Sequence, residues 1–266
     1  MDTLASGPPG KASLPLRLWR ATPDWVFRAL GASFFLIYAA VRMRDYFTDF
    51  PNVGPYWAPI VEVDALGAVH YGPRRYLPLA KVLIDATYLL IALSFIFRTT
   101  PRRRAASRRE ILLPLVAGFW PFLPFFLQGL LQWTGSPLAA RLDAMLGYGR
   151  ISYAEFYFGV MLLCVGNGLD VWGYGTLFRS LSIVAEARQL RTGGPYRYVR
   201  HPIYLGQFIA QAGVWLVLVR LQLIWVVFYL VFVAMQLRRA RVEEAVLAAA
   251  FGEPYLAWKR RTFWFI

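Results

Sequence analysis

The sequence predicts an all-α integral membrane protein with about six transmembrane helices, and three observations carry that prediction. Apolar side chains make up 58% of the 266 residues and aromatic ones 17%, more than an ordinary soluble domain holds. They are gathered into long runs rather than spread at amphipathic spacing, as a segment that crosses about 30 Å of hydrocarbon requires. Between the runs lie short arginine-rich stretches of the kind that set orientation in a bilayer.

The elements follow in order. The stretch Met1 to Pro15 is polar, with Gly and Pro, and the first apolar run follows it without a small-residue cleavage site, so the first helix reads as retained rather than as a signal peptide. Spans are predicted at Trp25 to Val41, Leu77 to Phe97, Ile111 to Trp133, Tyr153 to Phe178, Ile203 to Val219 and Leu221 to Leu237. The last two are separated only around Arg220 and Leu221, which requires a tight helical hairpin with Arg220 snorkelling to the interface. Beyond them the chain reads RRARVEEAVLAAAFGEPYLAWKRRTFWFI. Its alternation of apolar and charged residues predicts an amphipathic helix at the membrane surface, broken near Gly252 and Pro254.

Charge sets the expected orientation. Lys11, Arg17 and Arg20 precede the first span, six arginines lie in Arg98 to Arg109, five in Arg179 to Arg200, and six basic residues follow the sixth span. The opposite side holds fewer, among them Arg44, Arg74, Arg75, Arg141, Arg150 and Arg220. Both termini and the segment between the fourth and fifth spans are therefore predicted cytoplasmic. The net charge of +14 is accounted for by orientation and by contact with anionic membrane lipid, so nucleic acid is not expected as a partner. The lone Cys164 lies in an apolar run; it makes no disulfide framework, and no metal cluster is expected. An arginine-rich, lysine-poor chain without eukaryotic targeting signals points to a bacterial inner membrane.

Two polar blocks are richer in chemistry than spanning requires: Gln189 to Gly206, QLRTGGPYRYVRHPIYLG, and Arg238 to Tyr255. Singly, their residues have plain readings as turn, lipid-anchoring and aromatic-belt positions. Together they suggest a site. Gly193 and Gly194 let backbone approach a ligand, and His201 and Pro202 open the fifth span, so the unpaired amides of a helix start face the same place and suit a carboxylate. Glu243 and Glu244 return to that level from the sixth span and need a cationic partner. S-adenosylmethionine offers a carboxylate, an ammonium, a sulfonium and an adenine ring, and tyrosine faces attract a sulfonium.

The run GGPYRYVRHPIYLG, followed by RVEEAVLAAAFGEPYLAW, resembles the C-terminal signature of the isoprenylcysteine carboxyl methyltransferase family in order and separation. The resemblance covers about 151–266 and leaves 1–150, with three spans, as a separate N-terminal membrane region. It implies an integral membrane methyltransferase that uses S-adenosyl-L-methionine on a lipophilic or small-molecule acceptor, a carboxylate being favoured. It assigns cofactor binding to Gln189, Leu190 and Arg191, to Tyr196, to His201, Pro202, Ile203 and Tyr204, and to Glu243. Arg239 falls where the family's substrate-contacting arginine lies. The segment just upstream of Gln189 departs from the family's length. The implied chemistry is in-line displacement at a sulfonium methyl, in which positioning and exclusion of water supply the acceleration. The alternatives are methylation of a phospholipid amine or a small thiol, an NADPH-dependent enzyme of the sterol reductase type, and a non-catalytic lipid-binding or transport protein.

Overall fold

The computed structural model of the chain describes residues 18–19, 21–48, 62–63, 68–70, 78–146, 151–219 and 222–264. The polar stretch Met1 to Pro15, most of the loop between the first two spans, Arg150 and the Arg220–Leu221 turn lie outside the described residues. Among the described residues five helices are long and apolar enough to cross a membrane, and a shorter apolar helix, Pro202–Leu218, accompanies them.

Helices α1 (Asp24–Thr48) and α2 (Pro78–Phe97) form the first pair. They bury Ala32, Phe35, Ile91, Ala92 and Phe95 between them. A β-carbon on Gly31 would stand 2.2 Å from the Phe95 ring, so only glycine admits that ring against the α1 backbone. The third span is a unit of 26 residues, Arg108–Trp133, but it is not one smooth helix. It comprises α3 (Arg108–Phe119), a single 3-10 turn (Trp120–Phe122) and α4 (Leu123–Trp133). Pro121 and Pro124 each remove a backbone donor and crowd the preceding turn, which breaks the regular helix there.

After α5 (Leu138–Leu146) the chain adds the last strand of a small antiparallel ladder, β1 (Glu62–Val63), β2 (Ala68–His70) and β3 (Ile151–Ser152). Beyond these short pairings, two isolated bridges and the connecting segments, the described residues are helical, as the composition predicted. Helix α6 (Tyr153–Leu177) starts on a capping box in which the Ser152 side chain and Glu155 each satisfy the other's backbone amide.

Helix α7 (Pro202–Ala212) continues as a π-helix, Gly213–Leu218, and it packs on α6 at backbone distance. A β-carbon on Gly166 would lie 2.5 Å from the Ala210 nitrogen, and one on Gly213 would lie 2.7 Å from the Gly159 carbonyl. Small residues at such positions let membrane helices approach closely without a hydrophobic driving force. At 1.5 Å per residue, Pro202–Leu218 reaches about 25 Å, the short end for a span. Helix α8 (Leu223–Phe251) has 29 residues and so runs about 44 Å, longer than the hydrocarbon is thick.

The predicted hairpin is present. Tyr229 Oη donates to the Phe208 carbonyl at 3.1 Å, and Gln236 Nε2 donates to Gln207 Oε1 at 2.5 Å, so α7 and α8 run antiparallel. The amphipathic stretch after Leu237 is not a separate helix: it is the last part of α8. Residues 238–250 contain neither Gly nor Pro and are rich in Ala, Arg, Glu and Leu, so nothing interrupts the helix where the pattern turns polar. The break comes at Gly252, whose φ is 58, and α9 (Glu253–Lys259) follows.

Candidate active site

The segment after α6 crosses the basic end of the bundle and is fastened there by the arginine-rich stretch after α2. Thr99 donates its amide to the Arg179 carbonyl at 2.8 Å, Arg102 to Ala187 at 2.8 Å, and Ala187 back to Arg103 at 3.0 Å. This antiparallel bridge between Arg103 and Ala187 holds Gln189–Arg191 beside residues 99–103. At its centre Arg188, 2% exposed, reaches Asp24 Oδ1 at 3.1 Å and Glu186 Oε2 at 2.9 Å. Its Nη1 also donates to the Thr99 carbonyl. A guanidinium taken out of water keeps its charge only with such partners.

Where α7 begins, a knot of charge joins α7, α8 and α9. Glu244 is the hub: its Oε1 lies 2.9 Å from Arg200 Nε and 3.3 Å from His201 Nε2, and its Oε2 accepts from Lys259 Nζ at 2.6 Å. Glu243, about 100° around the helix, faces elsewhere and accepts from the Tyr204 hydroxyl and from Arg239 Nε, the latter at 2.9 Å. The Tyr204 and His201 rings stack at 5.3 Å, and the Arg239 guanidinium sits 5.0 Å from the Tyr204 ring centroid. Arg239 is buried; its Nη2 donates to the Ile183 carbonyl at 2.9 Å. Its Nη1 lies 3.5 Å from where a β-carbon on Gly118 would stand, toward α3. The result is a buried, fixed cation whose Nη1 faces α3 at Gly118, and a guanidinium held in this way can orient an anionic group.

The chain's last described stretch straps this end together. Arg200 donates its amide to the Phe263 carbonyl at 2.8 Å, and its Nη1 donates to the Lys259 and Thr262 carbonyls at 3.0 and 3.1 Å. Trp258 Nε1 donates to the Tyr196 carbonyl at 2.9 Å. Tyr196, Ile203, Tyr204 and Ala240 form a buried cluster against Trp258 and Trp264. Burial pushes the Tyr196 phenol well above its usual pKa, so it stays neutral. Burial likewise raises Tyr255, whose hydroxyl has no hydrogen-bond partner among the described residues.

Beside the knot opens a pocket of about 620 Å³, lined by Thr99, Thr100, Arg102, Arg188, Gln189, Leu190, Phe251 and Pro254. Its size is that of a small-molecule site. Two regions of chain build it: the loop after α2, and the family-like segment from the α6–α7 connection to α9.

The residues singled out from the sequence therefore fall into separate places. Gln189 and Leu190 line the pocket. Arg191 turns to Ser180 Oγ at 3.1 Å and Gln189 Oε1 at 2.8 Å. His201, Tyr204, Arg239 and Glu243 meet in the knot, while Tyr196, Pro202 and Ile203 are packed beneath it. Sequence reasoning missed Thr99, Thr100 and Arg102, because a run of arginines between spans reads as an orientation signal. It also missed the Ile183 carbonyl and Asp170. Asp170 is a buried carboxylate on α6 whose Oδ1 would stand 2.5 Å from a β-carbon on Gly206 and has no hydrogen-bond partner among the described residues. An acidic residue at such depth in a span was the available signal.

Residues 154–254 match the family model of the phospholipid methyltransferases. That family is related to the isoprenylcysteine carboxyl methyltransferase-like membrane enzymes, in line with the motif resemblance. The match supports a membrane methyltransferase. It contains the whole α6–α7–α8 assembly with Gln189, His201, Arg239 and both glutamates, and it stops short of the first three spans. None of the curated proteins compared with the chain matches it.

Proposed function

We propose that the protein is an S-adenosylmethionine-dependent methyltransferase of a bacterial inner membrane, taking its cofactor from the cytoplasm and a lipophilic acceptor from the bilayer. The observation that carries this reading is that one matched segment, 154–254, contributes every member of the charged knot but Lys259 and also a wall of the pocket at the same end of α8. The residues present fit the cofactor. The pocket has the volume for it, and Glu243, outside the pocket lining but on the same helix as Phe251, supplies an anion. About 12 Å further along α8, by helix rise, Phe251 supplies a flat apolar ring. Such spacing suits a ligand with an amino acid at one end and a purine at the other.

On this reading Gln189, Leu190 and Arg191 hold the cofactor from the connecting segment. His201, Tyr204 and Glu243 hold its charged end, and Pro202, Ile203 and Tyr196 fix their places. When bound, the cofactor supplies an electrophilic methyl group. The chain's part is to position the acceptor and keep water away. Arg239, locked by Glu243 and the Ile183 carbonyl, directs Nη1 toward α3 at Gly118 and orients an acceptor carboxylate on that side, which needs no base. The second reading, N-methylation of a phospholipid amine, is favoured by the name of the matched family; an amine acceptor must first lose a proton.

Calorimetric titration of the purified full chain tests the core of this. S-adenosylhomocysteine should bind saturably and NADPH should not. Saturable NADPH with no S-adenosylhomocysteine binding would replace the reading with a reductase, and binding of neither would favour a lipid-binding protein.

A further inference from the structure

The region before residue 154 lies outside the matched segment, yet Thr99, Thr100 and Arg102 line the pocket opposite Gln189, Leu190 and Phe251. Their placement is fixed by backbone: the Arg102 and Arg103 amides both donate to the Ala187 carbonyl, at 2.8 and 3.2 Å, and Ala187 returns a bond to Arg103. The neighbouring guanidiniums have anionic work. Arg98 pairs with Asp24 at 3.0 Å, Arg103 with Glu110 at 3.2 Å, and Arg188 with Asp24 and Glu186. Arg102 differs. It is exposed, has no carboxylate partner among the described residues, and lies 5.5 Å from the centroid of the Phe251 ring.

An unpaired guanidinium beside an aromatic ring, an aliphatic wall at Leu190 and a side-chain amide at Gln189 make a surface suited to a flat heteroaromatic ring. Guanidinium planes and aromatic faces both stack on nucleobases, and an amide can satisfy a purine edge. We propose that the purine of the cofactor binds against Phe251, Leu190 and Arg102, so that the N-terminal region supplies part of the nucleoside subsite. This rests on the reading of the protein as an S-adenosylmethionine enzyme and assigns its two ends: adenine to the Arg102 side, amino acid to the Glu243 side.

The test compares two ligands on the purified full chain by calorimetry: S-adenosylhomocysteine, which carries both ends, and 5′-methylthioadenosine, which lacks the amino acid. Arg102→Ala should weaken both by the same factor, about fivefold for a partly exposed cation–π contact, and Arg102→Gln should do likewise. Glu243→Gln should weaken S-adenosylhomocysteine and leave methylthioadenosine unchanged. If Arg102→Ala weakens only S-adenosylhomocysteine, Arg102 holds the amino-acid end and the assignment is overturned. Unchanged binding of both ligands also overturns it, and a loss confined to flotation with anionic phosphatidylglycerol vesicles would make Arg102 a lipid contact instead. Failure of the wild-type chain to bind either ligand would reject the underlying reading, an outcome separate from these.

Discussion

The charged knot and the pocket lie at the same end of the same helix, yet their charges are arranged in opposite ways. In the knot, Glu244 serves Arg200, His201 and Lys259 while Glu243 serves Arg239 and Tyr204. In the pocket, Arg102 has no carboxylate partner among the described residues and Gln189 is exposed. Charges withdrawn from water must be matched or the fold loses several kcal/mol, so complete matching marks what holds the helices together. Incomplete matching at an open surface costs little and marks where a ligand can add something. Arg239 and Glu243 belong to both classes: each is engaged within the knot, and each is assigned to a ligand in the proposed function.

The largest effect should come from breaking the hub. Glu244→Ala leaves Arg200, His201 and Lys259 facing one another without their anion, and about 3 kcal/mol of stability should be lost, read as a lowered thermal midpoint in detergent. Arg102→Ala should leave that midpoint unchanged. Equal midpoints for the Glu244 variant and the wild type would end the distinction between knot and pocket.

Arg239→Ala comes next. Losing a charge-assisted contact of about 1.5 to 3 kcal/mol should slow turnover roughly ten- to a hundredfold while S-adenosylhomocysteine affinity stays nearly intact. Arg239→Lys should restore little if the acceptor contact is bidentate to a carboxylate, and much if only a point charge is needed. Full activity in Arg239→Ala would move the assignment to an amine acceptor.

Glu243→Gln should weaken S-adenosylhomocysteine by about tenfold, the scale of one charge-assisted hydrogen bond. Glu244→Gln should act mainly on stability, because adjacent helix residues point about 100° apart. Similar losses of binding in both variants would show that the two glutamates are not divided between ligand and fold.

The smallest effect is a topological one. A cysteine in the Thr192 to Arg200 segment, in a Cys164→Ala background, should resist labelling from outside the cell. Gly193 is the position to use, since nothing lies within 4 Å of its added β-carbon, whereas Gly194 has φ +54 and a β-carbon there would meet Thr176 Oγ1 at 2.5 Å. External labelling at Gly193→Cys would put the knot on the wrong side of the membrane for a cofactor made inside the cell.

How far the sequence could be read depends on what each feature requires. The spans and the α7–α8 hairpin were legible because long apolar runs, with only Arg220 between the last two, leave few alternatives in a bilayer. Pro121 and Pro124 were in plain view, but whether adjacent prolines kink a span or end it depends on what packs around them. The continuity of α8 past Leu237 was hidden, because a change from apolar to charged residues resembles a new helix although no breaker occurs before Gly252. The pairing of Arg103 with Ala187 joins residues 84 apart in sequence, and no local pattern announces it. Hence Arg102 read as one positive charge among many, and Asp170 went unremarked inside an apolar run.

The central claim, that the chain moves a methyl group from S-adenosylmethionine to a membrane acceptor, is tested most directly with methyl-tritiated cofactor. Purified full chain, reconstituted with a lipid extract of its own membrane, should transfer label to an organic-soluble product, and Arg239→Ala should transfer at least tenfold less. Label released as volatile methanol by alkali identifies a carboxyl ester, and alkali-stable label identifies an N- or S-methyl product. Label that never leaves the donor, from a protein that also fails to bind S-adenosylhomocysteine, would contradict the account.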